Sequence, residues 1–283
     1  MKASWVVITR GDRPNDLTRA IDSIRSVDPG GEVVLVCNGC ATDPGLADRF
    51  VVSEENLGVP GGRNLGWKTA SGDVVFFLDD DAWLGSGPIT PVLEAFEDDP
   101  DLGIVSFRIE DPESGFTARR HVPRVGGSGI DRATAVTAFL GGACAIRRRT
   151  LTALDGFWSE LFYSHEETDF SWRATDAGYG ILYQPEVTVF HPAAEPGSRH
   201  PDTVYLSIRN RVLLARRDLP IPLGFIYVAV WLIIGLARAR SGGDFFALWR
   251  GLGAGIRGSE AKRDPIRWAT VWRLTRLGRP PII

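Results

Sequence analysis

The most constraining feature of the sequence is the run Val74–Leu78, five consecutive apolar residues that are followed directly by Asp79, Asp80 and Asp81. An unbroken apolar run of this length is typical of a strand buried on both faces, which occurs in parallel sheets covered by helices. Strand-like runs also alternate with segments of helical apolar spacing through residues 1–110. We therefore predict an α/β fold, with a mostly parallel, Rossmann-like sheet flanked by helices.

The individual elements follow from the same two periodicities. Short runs rich in β-branched and aromatic residues predict strands at Trp5–Thr9, Glu32–Cys37, Val51–Ser53, Val74–Leu78, Gly103–Ile109 and Leu182–Phe190. Apolar residues three and four positions apart predict helices at Asn15–Ser26, Val59–Ala70, Pro91–Glu97, Leu151–Phe157 and Asp169–Ala177.

Polar side chains follow three of the predicted strands. They are Thr9, Arg10 and Arg13 after the first strand, Asn38 after the second, and the three aspartates after the buried one. In such sheets ligands bind beyond the carboxyl ends of the strands. Adjacent carboxylates repel each other and are tolerated when a cation neutralises them. Hard divalent cations prefer carboxylate oxygens and commonly bridge to a diphosphate. The alternative to a cation site is that the three aspartates form a solvated acidic turn.

A second acidic cluster, Glu166, Glu167 and Asp169, opens a predicted helix. Carboxylates are favourable near a helix N-terminus, so a capping role is one interpretation. The other is that one of them acts as a general base, which takes the proton from an attacking hydroxyl. His191, at the end of the last predicted strand, is either a structural histidine or a metal ligand.

The segment Asn56–Asn64 is rich in glycine, and Gly62 is followed by Arg63 near a predicted helix start. Glycines permit close approach of the backbone to a ligand, and the arginine is suited to phosphate oxygens. The segment has neither the spacing of a Walker loop nor that of a dinucleotide-binding loop. Alone, it is weak evidence for a phosphate site.

The charge is distributed unevenly along the chain. Residues 1–197 contain 17 Lys and Arg against 30 Asp and Glu, whereas residues 198–283 contain 15 against 5. The basic tail predicts a surface for anions such as anionic lipid or a phosphate-bearing acceptor. Within it, residues 219–237 carry no charge, so a membrane-spanning helix, an interfacial or re-entrant helix, and a helix buried on the body all remain open.

The compartment is predicted from the cysteines and the N-terminus. Three cysteines argue against a disulfide framework, and Cys37 and Cys40 are interpreted as two small residues at a strand end. The first apolar run is five residues long and is followed at once by Arg10, which is too short and too polar for a signal peptide. We expect a cytoplasmic protein, peripheral on the inner face of the cell membrane, with no nucleic acid partner.

An ordered set of motifs resembles family 2 glycosyltransferases of the GT-A fold, particularly the bacterial rhamnosyltransferase-like branch. The motifs are VVITRGDRPNDLTRAIDSI, VLVCNGCATD, ENLGVPGGRNLGW, VVFFLDDDAWL, FLGGACAIRR and HEETDFSWRATDAGY, and the match covers about residues 4–192. The resemblance implies inverting transfer of a sugar from a nucleoside diphosphate sugar to a hydroxyl acceptor, with Mg²⁺ or Mn²⁺ as the divalent metal. A lipid-linked glycan of the bacterial cell envelope is the kind of acceptor that we expect.

The resemblance also implies roles for single residues. Asp79, Asp81 and His191 match metal-binding positions, with Asp79 nearer the ribose, and Glu167 matches the base, one methylene longer than the family's usual Asp, with Glu166 and Asp169 as rivals. Thr9, Arg10, Arg13, Asn38, Gly62, Arg63, Asp79 and Asp80 form the predicted nucleotide-sugar site. Gly141 and Gly142 match the acceptor-side loop, and we assign Trp172 and Arg173 to the acceptor as well.

Three regions and two rival functions complete the sequence predictions. Residues 1–200 are predicted to form the catalytic domain, with a nucleotide-sugar half of about 1–110 and an acceptor half of about 111–200, and residues 201–283 to form a helical, membrane-associating tail. A metal-dependent nucleotidyl or phosphoryl transferase would share the carboxylates and the nucleotide. A non-catalytic nucleotide-binding module would keep the fold without turnover.

Overall fold

A computed structural model describes residues 1–40, 44–85, 87–118, 121, 130–192, 202–258 and 261–282. Its strands are β1 Ala3–Thr9, β2 Glu32–Asn38, β3 Arg49–Ser53, β4 Val74–Asp79, β5 Trp83–Leu84, β6 Leu102–Glu110, β7 Thr134–Ala135, β8 Ala143–Arg147 and β9 Gly180–Phe190. Its helices are α1 Pro14–Val27, α2 Gly58–Thr69, α3 Thr90–Asp98, α4 Arg148–Ala153, α5 Glu166–Asp176, α6 Thr203–Asp218, α7 Ile221–Arg238, α8 Gly242–Arg257 and α9 Trp268–Arg276. Two short 3-10 helices lie at Pro44–Leu46 and Ser159–Leu161.

The strands form one sheet in the order β3-β2-β1-β4-β8-β6-β9-β5, with β7 beside β9. Strands β3, β2, β1 and β4 pair in parallel, as the sequence predicted for the first half. Beyond β4 the pairing is mixed, because β8 runs antiparallel to both β4 and β6, and β6 pairs in parallel with β9. The α/β fold with helices on a central sheet is confirmed. Parallel pairing is limited to β3-β2-β1-β4 and to the pair β6 and β9, so the sheet is less uniformly parallel than predicted.

Helices cover both faces of the sheet. One core contains Trp5 and Phe76 together with apolar residues of α1 and α3. The core on the other face contains Phe77 and residues of α2, α4 and α5. Strand β4 therefore contributes to both cores through alternate side chains, which explains why its five apolar residues are continuous in the sequence.

Two local predictions need correction. The predicted helix Leu151–Phe157 ends early, because Asp155 and Gly156 adopt positive φ angles of 53° and 67° that stop the helix after Ala153. Cys37 and Cys40 are joined by a disulfide bond, whereas the sequence predicted two unlinked small residues.

The helices after the last strand pack on the body through α6, through Tyr227 of α7, and through α9, where Thr270 donates to Asp176 of α5. A third core joins Leu161 and Trp172 of the body to Leu213 and Leu214 of α6 and to Tyr227 of α7. Helix α7 runs antiparallel to α6, since Gly224 lies against Ala215 and the Trp231 ring lies 3.9 Å from the guanidinium of Arg211.

Helix α7 is 18 residues long, and it is apolar enough by composition to cross a membrane. Only 11% of it is buried, so the interpretation of this segment as a helix buried on the body is wrong. The exposed apolar side chains of α7 include Ile221, Phe225 and Ile233, which leaves the two membrane-associated arrangements open.

Candidate active site

The three predicted metal ligands lie together at the carboxyl end of the sheet. Asp79 ends β4, Asp81 follows it in the turn, and His191 comes directly after β9. One potential ligand atom from each lies within 4.8 Å of the others, and His191 Nε2 is 3.4 Å from Asp81 Oδ1. His191 Nδ1 lies 2.9 Å from the Pro192 carbonyl oxygen, and we assign the ring proton to this nitrogen, which leaves Nε2 available as a ligand.

The loop after β1 approaches the same carboxylates. Arg13 forms an ion pair with Asp81 and lies 3.7 Å from Asp80 Oδ1. Thr9 is buried, and its hydroxyl accepts a hydrogen bond from the backbone N–H of Gly11 at 3.0 Å. Burial raises the pKa of Asp80 to about 6, opposed by the Thr9 hydroxyl and reinforced by the neighbouring aspartates. Arg10 is exposed at the edge of this loop.

Arg63 connects the two acidic clusters. It is 4% exposed, and its Nη1 donates hydrogen bonds of 3.3 Å to both Glu166 Oε1 and Glu167 Oε1. Its Nη2 lies 3.6 Å from Asp79 Oδ1. The turn after β4 and the start of α5, which are almost 90 residues apart in the sequence, therefore form one site.

Charge coupling within this group is strong. Burial raises the pKa of Glu166 to about 8, and the neighbouring Glu167 adds to this effect while Arg63 opposes it. Burial alone would lower the pKa of Arg63, but Glu167, Asp79 and Glu166 together raise it. Glu166 is 5% exposed in its side chain and Glu167 is 27% exposed, so Glu167 is the member of the pair that solvent or a substrate can reach.

The Gly141–Gly142 pair precedes β8 and lies directly against these charged groups. A Cβ atom on Gly141 would overlap Arg63 and the Glu167 carboxylate, and a Cβ on Gly142 would overlap the Asp79 carboxylate. The Gly142 carbonyl oxygen also accepts a hydrogen bond from the Asp79 N–H at 3.3 Å. Only glycine permits this approach, so the predicted acceptor-side loop does border the site.

Two residues predicted to contact the nucleotide, Asn38 and Gly62, have packing roles within the protein. The Asn38 side chain donates to the Gly58 carbonyl oxygen at 3.0 Å and accepts from the Leu57 N–H at 2.8 Å, which fixes the glycine-rich turn. An added Cβ on Gly62 would lie 3.0 Å from Ile8 Cγ2, so this glycine lets α2 pack closely on β1. Asn38 and Gly62 therefore fix the glycine-rich turn and the packing of α2 on β1 next to the site.

Asp169, Trp172 and Arg173 lie away from the carboxylate cluster. Asp169 is fully buried, and its two oxygens pair with Arg173 at 2.5 Å and with Arg217 of α6 at 3.0 Å. Arg173 also donates to the Leu154 carbonyl oxygen at 2.7 Å. Trp172 is buried against Tyr227 of α7, with ring centroids 5.6 Å apart. The spacing of four between Asp169 and Arg173 is the sequence signal for this pair.

Asn210 of α6 was missed by the sequence analysis. It is fully buried, and its Nδ2 lies 2.9 Å from the Leu161 and Tyr163 carbonyl oxygens and 2.8 Å from that of Ser164. This loop leads into α5, and Ser164 and His165 have positive φ angles of 74° and 72°. Such backbone persists where the surroundings fix it, so Asn210 positions the residues that precede Glu166. No local pattern connects a residue in a later helix with this loop.

Comparisons with known proteins identify the family of this chain. The model of the family described as Glycosyl transferase family 2 matches residues 4–153. The pre-mycofactocin glycosyltransferase of Mycobacterium tuberculosis is 27% identical over 252 residues, which cover 74% of this chain and 51% of that protein. This chain spans about half the length of the curated relatives with this name.

Solved structures share the fold. S. aureus TarS 1-349 in complex with UDP-GlcNAc has a TM-score of 0.61 and 19% identity, over 91% of this chain and 81% of that one. The mannosyltransferase PcManGT from Pyrobaculum calidifontis, in complex with GDP-Man and Mn²⁺, has a TM-score of 0.56 and 18% identity, over 99% of this chain and 77% of that one. These likenesses confirm the predicted GT-A type of architecture.

Proposed function

Because the chain belongs to glycosyl transferase family 2, we propose that it transfers a sugar from a nucleoside diphosphate sugar to an acceptor hydroxyl, with inversion at the anomeric carbon. The observation that carries this proposal is the Arg63 contact, which places the carboxylates after β4 beside the acidic start of α5. Such a site has the two parts that the reaction needs, one for a diphosphate leaving group and one for proton removal.

We assign a divalent cation, Mg²⁺ or Mn²⁺, to Asp79, Asp81 and His191. Two carboxylates and one imidazole with close ligand atoms suit such an ion. When bound, it would offset the negative charge that develops on the departing diphosphate. Arg13 forms an ion pair with Asp81, and its side chain is 47% exposed. We propose that it turns towards an oxygen of the diphosphate when the donor binds.

Glu167 is our proposed general base. Its carboxylate is the more exposed of the pair and lies against the acceptor-side glycine Gly141. Glu166 is buried, burial and the neighbouring Glu167 raise its pKa, and its Oε1 accepts a hydrogen bond from Arg63, so we assign it as a partner of Arg63. Asp169 is committed to its two arginines and is not proposed as a base.

The acceptor is proposed to be membrane-linked, with the protein held at the inner face of the cell membrane. Helix α7 exposes Phe225 at 75% and Ile233 at 66%, and α8 exposes Phe246 at 64% and Trp249 at 46%. Because α7 lies along α6, and α6 is attached to the body through Asn210, an interfacial position is favoured over a spanning one. Co-sedimentation with lipid vesicles tests this, and an unchanged soluble fraction would contradict it.

The proposed reaction is tested with a panel of nucleotide sugars, by measuring the release of free nucleoside diphosphate with and without Mg²⁺ or Mn²⁺. Release of free nucleoside diphosphate would also exclude a nucleotidyl transferase. Asp81→Asn should lose the increase in turnover that Mg²⁺ or Mn²⁺ gives the wild type. Glu167→Gln should lower turnover by about 10²–10⁴-fold while donor binding is kept. Glu94→Gln, on the exposed side of α3, is the matched control. A Glu167→Gln enzyme with the control's rate would refute the assignment of the base.

The donor sugar, the cell-envelope role and the rhamnosyltransferase-like branch stay predictions from the sequence. The relatives with solved structures bind different donors, UDP-GlcNAc in TarS and GDP-Man in PcManGT. The nucleotide panel should therefore include uridine, guanosine and thymidine diphosphate sugars.

A further inference from the structure

A small cavity lies between the body and the tail, away from the carboxylate cluster. Its volume is about 90 Å³, and its wall includes Trp172 of α5, Arg211 of α6, Tyr227 of α7 and Arg279, which follows α9. One water needs roughly 10–15 Å³ by this measure, so the cavity has room for several waters or for one tetrahedral oxyanion.

The cavity wall is positively charged, and no carboxylate lines it. Among the described residues, neither Arg211 nor Arg279 forms an ion pair with an acidic group. The Nη1 of Arg211 donates to the Ser207 carbonyl oxygen at 3.2 Å and to the Ser207 hydroxyl, but its Nε has no hydrogen-bond partner among the described residues. Burial lowers the pKa of Arg211, opposed by Tyr227, and this is the expected effect on a guanidinium whose charge is not compensated.

Further donors face the same space. His165 and the Thr168 hydroxyl line it, and burial together with the two arginines lowers the pKa of His165, so its imidazole is neutral at pH 7. The Nε1 of Trp231, another wall residue, has no partner in the described part of the chain. The unpartnered Nε of Arg211 and the exposed guanidinium of Arg279 supply N–H donors whose natural complement is a phosphate group.

The cavity lies between the start of α5, which carries the proposed base, and the membrane-associated helix proposed for α7. His165 and Thr168 line the cavity and flank Glu166 and Glu167 in the sequence, so the cavity and the proposed base both include residues from the start of α5. On its other side, Tyr227 and Trp231 belong to α7, the helix whose outer face is apolar and exposed. A molecule that is anchored in a membrane and enters from α7 would meet the two arginines of this cavity.

We propose that this cavity binds a phosphate group carried by the acceptor, with Arg211 and Arg279 as its principal ligands. The proposal rests on the proposed function, since it gives the acceptor a chemical class. The aromatic walls formed by Trp172 and Tyr227 would exclude water on one side of the phosphate and strengthen its contacts with the arginines.

The test measures binding of the full chain to phosphatidylcholine vesicles that contain a small fraction of either a polyprenyl phosphate or the matching polyprenol. A second arm without vesicles measures binding of inorganic phosphate by calorimetry. The wild-type protein should prefer the phosphate-bearing vesicles by roughly tenfold or more, since hydrogen bonds to charged groups are strong. The double variant Arg211→Gln, Arg279→Gln should lose this preference.

The control is Arg276→Gln, which removes the same charge from the exposed surface three residues before Arg279. Arg211→Lys, which keeps the charge but not the planar fork, should retain part of the preference and is available if the double variant does not fold. Arginine-dependent binding of phosphate in solution, with no difference between vesicles, would support the cavity with a soluble phosphate as its ligand. Equal binding to both vesicles and no phosphate binding, or a preference that survives in the double variant, would overturn the proposal.

Nucleotide-sugar binding is measured in the same preparations. The arginine variants should bind the donor as the wild type does, because neither arginine contacts the carboxylate cluster. If the wild type binds no nucleotide sugar, the proposed function fails, whatever the vesicle result; if it binds the donor but shows no preference for phosphate, only the cavity proposal fails.

Discussion

Asn210→Ala should uncouple the active-site loop from the helical tail. The Asn210 amide has two N–H donors, and three carbonyl oxygens of the loop lie within 2.9 Å of it, so two full hydrogen bonds are lost. At about 1 kcal/mol for each buried hydrogen bond, the free energy of unfolding should fall by about 2 kcal/mol. For 283 residues, an unfolding entropy of about 2.1 cal/mol/K per residue converts this to a decrease of roughly 3–4 °C in Tm.

The same substitution should affect turnover more than stability alone explains. The loop that Asn210 fixes has positive φ angles at Phe162, Ser164 and His165, and its relaxation would move the start of α5. A displacement of about 1 Å at Glu167 would lower turnover by about 10²-fold. Nucleoside diphosphate release from the donor, measured well below the Tm of the variant, is the assay.

Val212→Ala is the matched control for Asn210→Ala. Val212 lies two residues later on α6, is buried, and packs against Gly255 of α8 and not against the loop. Loss of two buried methyl groups should cost about 2 kcal/mol as well, but turnover should be unchanged. If the two variants lose equal activity, or if Asn210→Ala leaves the Tm unchanged, the positioning role of Asn210 is refuted.

Three further outcomes are expected. Gly142→Ala should lower turnover by about 10²-fold or more, because its Cβ would overlap the Asp79 carboxylate, whereas Gly253→Ala, where the nearest atom would be 3.9 Å away, should be tolerated. Burial raises the pKa of Asp218 well above its usual range, so the contribution of Asp218 to stability is present at low pH and is lost as the pH rises. Thermal unfolding should therefore show that Asp218→Asn is more stable than the wild type at pH 8 but not at pH 4. An equal difference in stability at both pH values would contradict this. Treatment with a chelator should stop nucleoside diphosphate release without unfolding the protein, as circular dichroism would show, because Arg63 still balances the carboxylates in the metal-free site.

The part of the site that could be predicted lies at the ends of strands. Asp79 and Asp81 follow a strand that is recognisable from its apolar run, and the carboxyl ends of parallel strands meet at one edge of the sheet. His191 was located in the same way, at the end of β9. Short-range sequence patterns are sufficient for such residues because the sheet itself brings them together.

The part that could not be predicted depends on helix rotation and on distant contacts. Successive residues of a helix point about 100° apart, and at the start of α5 Glu166 and Glu167 reach Arg63 while Asp169 turns towards Arg173 and Arg217. The antiparallel insertion of β8 between β4 and β6 also has no local signal. Both follow from the tertiary packing.

The attachment of α6 to the body affects how this protein can be handled. Arg217 provides one of the two cations that neutralise the buried Asp169, and Asn210 of the same helix caps the carbonyls of the loop before Glu166. A fragment cut near residue 200 to improve solubility would leave the buried Asp169 with Arg173 as its one remaining partner among the described residues, and it would leave the Leu161, Tyr163 and Ser164 carbonyl oxygens without Asn210. Crystallisation and assay should therefore keep the tail, since we expect a truncated version to lose both stability and activity.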